Sequence, residues 1–160
     1  MKKGILLSSL VAMSLISSCA STNVKKDIIN TETQMRGSWT VTNVSIQGTT
    51  GKVNATVFDE APYECYIGSQ WNLIQNNNSG TYTLVGGGTC PSGTNAIKWT
   101  VSDDGASKYF NFKRVNNDKA KNVLTGYKMR LQSVTDSNMT LVQDVPFEGK
   151  IINIVYNLSR

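Results

Sequence analysis

From Met35 to Arg160, runs of about 5 to 9 residues rich in Val, Ile, Thr, Tyr and Trp alternate with polar turn clusters, the period-2 signature of half-buried strands. The first predicted strand covers Ser38 to Gln47. Trp39 and Val41 share a face, and Val44 and Ile46 return to it only after a one-residue shift, which predicts a β-bulge near Thr42-Asn43. Thr49 to Gly68 has no clear period, and its Pro62 and Gly68 mark a long loop or lid with room for one helical turn. Ser69 to Gln75 and Thr81 to Val85 are the next strands, joined by the polar turn Asn76-Asn77-Asn78-Ser79-Gly80. Gly86 to Asn95, with Cys90 and Pro91, reads as a flexible loop. Ile97, Trp99 and Val101 alternate in a fourth strand, which Asp103-Asp104-Gly105 turns into a fifth at Ser107 to Val115. Strands at Val123 to Ser133, Met139 to Asp144 and Lys150 to Leu158 complete the pattern.

Eight successive strands with mostly hairpin-length connections predict an all-β fold, an eight-stranded up-and-down antiparallel barrel that removes its edges by closing on itself. A β-sandwich is the alternative, because alternation alone does not separate the two. The interior of such a barrel is either filled by side chains or holds one small ligand.

The start of the chain follows a different pattern. Met1-Lys2-Lys3 is a positive region, and Ile5 to Ile16 is an apolar stretch too short to span a bilayer. The following Ser17-Ser18-Cys19 resembles the lipobox of bacterial lipoproteins, in which the Cys becomes the mature N-terminus and carries acyl chains. The expected organisation is a lipoprotein signal peptide at 1–18, a lipidated Cys19 with a flexible tether at 19–34, and a barrel domain at 35–160. The tether has room for a short helix over Val24 to Thr33. Acylation implies a stable membrane anchor. Ala20 after Cys19 resembles the outer-membrane sorting pattern of this class.

Removing Lys2 and Lys3 with the signal lowers the net charge from +5 to +3, and the remaining Lys and Arg form no stripe, so nucleic acid is not an expected partner. The chain contains no His, which excludes Ser-His-Asp and Cys-His nucleophiles and imidazole metal sites. Asp103-Asp104 and Asp59-Glu60 lack the spacing of a calcium loop, and Gly86-Gly87-Gly88 lacks the Lys and the following helix of a phosphate loop. No metal, cofactor or enzymatic activity is therefore expected. With Cys19 lipidated, Cys65 and Cys90 remain as an even pair in an exported chain, which reads as a disulfide; the alternative is two free thiols.

Gly37-Ser38-Trp39 at the first of eight strands resembles the Gly-x-Trp signature of lipocalins. In that family the Trp packs at the closed end of the barrel under an Arg that follows the last strand, a role the resemblance gives to Arg160. The stretches Ser69-Gln70-Trp71-Asn72-Leu73-Ile74, Gly80-Thr81-Tyr82-Thr83-Leu84, Gly126-Tyr127-Lys128-Met129-Arg130-Leu131 and Met139-Thr140-Leu141-Val142-Gln143 are similar to small lipocalin-like lipoproteins of Gram-negative bacteria. This resemblance covers most of residues 35–160 and implies the barrel, the anchor and a Cys pair.

Trp71, Tyr82, Trp99, Tyr109 and Tyr127 fall on five different predicted strands. Pointing into one barrel, they would line an apolar pocket with a few hydroxyls; otherwise they fill the core. The expected function is an outer-membrane lipoprotein of the cell envelope that binds or carries a small, mostly apolar ligand. The alternative is an interaction module with a filled barrel whose loops contact an envelope protein or a glycan.

Overall fold

Strand alternation closes the chain on itself. The computed structural model describes residues 19–51, 53–116 and 118–160, so the signal peptide expected at 1–18 lies outside the described residues. Eight strands form the barrel: β1 (Gly37–Gln47), β4 (Gln70–Ile74), β5 (Ser79–Gly87), β6 (Cys90–Asp103), β7 (Lys108–Arg114), β8 (Tyr127–Val134), β9 (Asn138–Phe147) and β10 (Lys150–Ser159). The strands β2 (Thr56–Val57) and β3 (Ala61–Pro62) form a separate small hairpin within the β1–β4 connection. Neighbouring barrel strands are antiparallel, and β1 closes the ring by pairing with both β4 and β10. A sandwich, which would leave edges, is thereby excluded.

The register of β1 against β10 skips Thr42, the bulge that the shift from Val41 to Val44 predicts. Beyond the bulge Val44 is again buried, as Trp39 and Val41 are before it. On β10, Ile152, Ile154, Tyr156 and Leu158 point inward at period 2 and are all buried.

Two segments differ from their sequence reading. Gly86 to Asn95 is not a flexible loop: β5 and β6 continue as one ladder to the Gly87–Cys90 pair. Gly and Pro lower strand propensity there, but the neighbouring strand supplies the missing bonds. Residues 19–35 form a 17-residue helix, α1 (Cys19–Met35), which contains and extends the short helix expected over Val24 to Thr33 and leaves no loose tether there. Ile28, Thr31 and Met35 form the face that packs against the barrel, and the polar Thr31 in the middle of that stripe hides it from a hydrophobicity pattern. The buried Thr31 hydroxyl is satisfied by the Asp27 carbonyl at 2.9 Å. Glu32 accepts from Asn78 at 3.2 Å and from the Val101 amide at 3.3 Å, and Lys108 meets Asp27 at 2.7 Å, which docks the helix on one end of the barrel.

The ends of the barrel are therefore distinct. The α1 end also carries the β4–β5, β6–β7 and β8–β9 turns. The other end carries the long β1–β4 connection, the β7–β8 loop, and the β5–β6 and β9–β10 hairpins.

Candidate functional site

At the closed end the start of β1 and Arg160, which follows β10, meet around Trp39. The indole is 1% exposed and donates to the Met35 carbonyl at 2.7 Å. The Arg160 guanidinium lies 4.2 Å from the Trp39 ring centroid. It also donates to the carbonyls of Arg36 at 2.6 Å, Gln34 at 3.3 Å and Asp136. The Gln34 carbonyl lies in the last turn of α1 and that of Arg36 directly follows the helix, where helical bonding leaves acceptors unfilled. Gly37 has φ +108°, and a Cβ there would sit 3.1 Å from Arg160 Nη1, so the position needs both the freedom and the smallness of glycine. Gly37, Trp39 and Arg160 thus form a structural clasp.

Between the two ends runs a column of aromatic rings. Trp99 and Phe110 are 6.0 Å apart, Phe110 and Trp71 6.2 Å, and Trp71 stacks on Tyr82 at 4.7 Å. Trp71, Tyr82 and Trp99 all point inward and are buried. Tyr109 does not join them. Its neighbours Phe110 and Phe112 take the inward positions of β7, so Tyr109 faces outward, where the Lys128 ammonium lies 3.6 Å from its ring centroid. Strand period alone places Tyr109 and Phe110 on opposite faces, which overturns its candidacy as a pocket residue. Tyr127 points inward at the open mouth and is half-buried.

The mouth combines Asn95 and Arg114, inward positions in the alternation of β6 and β7, with residues of the β1–β4 connection that alternation does not reveal. The hairpin of β2 and β3 turns on Phe58 and Asp59, with φ of 53° and 50°, and the Glu60 amide donates to the Val57 carbonyl at 3.1 Å. A bulky residue is rare at positive φ and costs on the order of 1–3 kcal/mol. Ring packing offsets that strain: Phe58 is buried, with Tyr66 at 5.2 Å, Phe112 at 5.1 Å, Tyr127 at 5.3 Å and Tyr156 at 5.9 Å.

Beside Phe58 the Glu60 carboxylate enters the barrel, its side chain 15% exposed. One oxygen accepts from the hydroxyls of Tyr66 at 2.7 Å and Tyr82 at 2.5 Å. The other accepts from the Asn95 amide at 2.9 Å and lies 3.5 Å from the Arg114 guanidinium. Burial, and then the bond to Glu60, pushes both tyrosine hydroxyls well above the ordinary tyrosine range, so they are donors at any physiological pH. Arg114 also donates to the Tyr127 hydroxyl at 3.2 Å, which in turn donates to Asp59 at 3.3 Å. Tyr66 is held in place by the Cys65–Cys90 disulfide, with Cα atoms 5.3 Å apart, which ties the β1–β4 connection to the first residue of β6.

Above this network lies a cleft of about 480 Å3 lined by Asp59, Arg114, Asn116, Val123, Thr125 and Tyr127. Its volume is in the range of small-molecule sites. Sequence reading missed Phe58, Glu60, Tyr66, Asn95 and Arg114. The available signal was the apolar density of Val53, Val57, Phe58, Ala61 and Tyr66, unusual for an exposed loop and borne out by their burial. Comparison with protein-family models, curated proteins and solved structures finds no match to this chain, so the geometry carries the functional argument.

Proposed function

We propose that the protein is a lipocalin-like lipoprotein of the bacterial cell envelope, anchored to the outer membrane through Cys19, that binds or carries a small, mostly apolar ligand and is not an enzyme. The observation that carries this reading is the mouth: converging polar donors and aromatic faces beneath an open cleft of about 480 Å3. A domain built for stability alone gains little from a buried carboxylate network, since well-packed apolar residues of the same volume serve as well or better. The lipobox-like Ser17-Ser18-Cys19 supports the anchor, and the lack of His supports a binding role over a catalytic one. A second reading, an interaction module for an envelope protein or glycan, is supported by the aromatic filling of the barrel below the mouth.

Titration with fatty acids, sterols and aromatic metabolites separates the two. Trp71 stacks on Tyr82, whose hydroxyl belongs to the mouth network, so a ligand that displaces this network shifts tryptophan fluorescence. Trp71→Ala weakens the response. A folded protein that shows no shift with any of these classes leaves the interaction module as the better reading.

A further inference from the structure

Two features of the mouth are costly for a plain plug. The turn places two consecutive non-glycine residues at positive φ, one of them Phe58. A carboxylate is drawn into the barrel, where desolvation opposes it. The hairpin that carries both is small, its own sheet comprising the pairs Thr56–Pro62 and Val57–Ala61. By contrast, the groups that receive it are on fixed supports. Tyr82, Asn95 and Arg114 are inward positions of β5, β6 and β7, and Tyr66 is pinned beside the disulfide.

The partners are also matched in number to the two oxygens of a planar anion. Each oxygen of the carboxylate has two partners, the two tyrosines on one side and Asn95 with Arg114 on the other. The Tyr66 ring completes both halves: its hydroxyl meets Glu60 and its face meets Phe58. Arg114 and Tyr127 belong to this arrangement and also line the open cleft, so the site adjoins a route from solvent.

We propose that the Phe58–Glu60 turn occupies, from within the chain, the binding site of a small carboxylate with a flat apolar body, and that Tyr66, Tyr82, Asn95 and Arg114 are the groups that bind the ligand's carboxylate. The proposal rests on the ligand-binding reading above and names the ligand class. Glu60 stands where the ligand carboxylate goes, and Phe58 where its body goes. Ligand binding requires the turn to swing out, and the ligand's apparent affinity is reduced by the fraction of molecules in which it has done so.

The test uses the mature protein with phenylpropanoate as the probe and phenylpropanamide, its neutral counterpart, as the control. In Glu60→Ala the competing carboxylate is gone while the four groups that bind it remain. The expected result is affinity for phenylpropanoate about tenfold to a thousandfold above that of the unaltered protein, the range set by a minor open state of roughly 0.1–10%. The amide shows no such gain, and Arg114→Leu in the Glu60→Ala background removes it. Where Glu60→Ala is poorly folded, added phenylpropanoate restores its thermal transition, because a ligand that binds only the folded state stabilises it. Phe58→Gly serves as a second variant, since glycine suits the positive φ while emptying the ring position. It also binds phenylpropanoate more tightly than the unaltered protein. Absence of gain and of rescue in both variants, or an equal gain for the amide, overturns the proposal. That outcome with a fluorescence response of the unaltered protein to other apolar ligands leaves the binding function standing, and without any such response it removes both.

Discussion

Arg160 uses one guanidinium for two tasks: it covers the Trp39 ring and fills carbonyls of Gln34, Arg36 and Asp136. Trp39 contributes large buried area, and its indole donor is already spent on Met35. Trp39→Ala is expected to cost about 3–5 kcal/mol in denaturant unfolding. Arg160→Ala is expected to cost less, and Arg160→Lys is not expected to restore it, because an ammonium lacks the planar fork that reaches several carbonyls while covering a ring. An unchanged unfolding midpoint in Trp39→Ala would refute the structural role. At this scale the residues of regular strands were readable: Trp71, Tyr82 and Trp99 are inward because alternation puts them there. Glu60 and Phe58 were not, because a turn of left-handed residues has no period, and a lone Asp-Glu in a loop has the pattern of solvated charge.

Among the elements, the β1–β4 connection behaves least like a loop. It contributes Val57, Phe58, Ala61, Cys65 and Tyr66 to the core and is fastened to β6 by the disulfide. The bond closes a loop with a sequence separation of 25 residues, for which chain entropy gives roughly 3.5 kcal/mol of stabilisation. Replacing Cys65 and Cys90 by Ser is expected to lower stability by about that amount and to loosen the mouth before the barrel, which amide exchange at Tyr66 and Ser69 reads directly. Alkylation of Cys65 and Cys90 in the oxidised, unfolded protein would contradict the bond. The bulge at Thr42 was legible because a one-residue insertion reverses which residues are apolar. The extension of β5 and β6 through Gly87 and Pro91 was not, because there the ladder partner rather than residue type decides. The helix α1 was legible only over Val24 to Thr33: most of its length is exposed, and Thr31 interrupts the stripe of Ile28 and Met35, with Glu32 and Asp27 adding polar docking contacts.

For the whole molecule, the proposed anchor and the barrel are joined by a helix that is docked at its C-terminal half and exposed along residues 21–27. Cys19→Ser is expected to release the protein from membranes with its thermal transition unchanged, and equal membrane retention would end the lipoprotein reading. The ring of strands has a further consequence for how the molecule comes to exist. Seven of the barrel's neighbour relations join strands consecutive along the chain or across the mouth connection, but the eighth joins β1 to β10, with Thr40 opposite Ser159. That seam pairs residues 119 positions apart (159 − 40), the kind of distant pairing that slows folding towards milliseconds to seconds. Until the last strand is available, β1 has one bare edge and Trp39 has no cover. Closure of the ring therefore waits on β10, Lys150–Ser159.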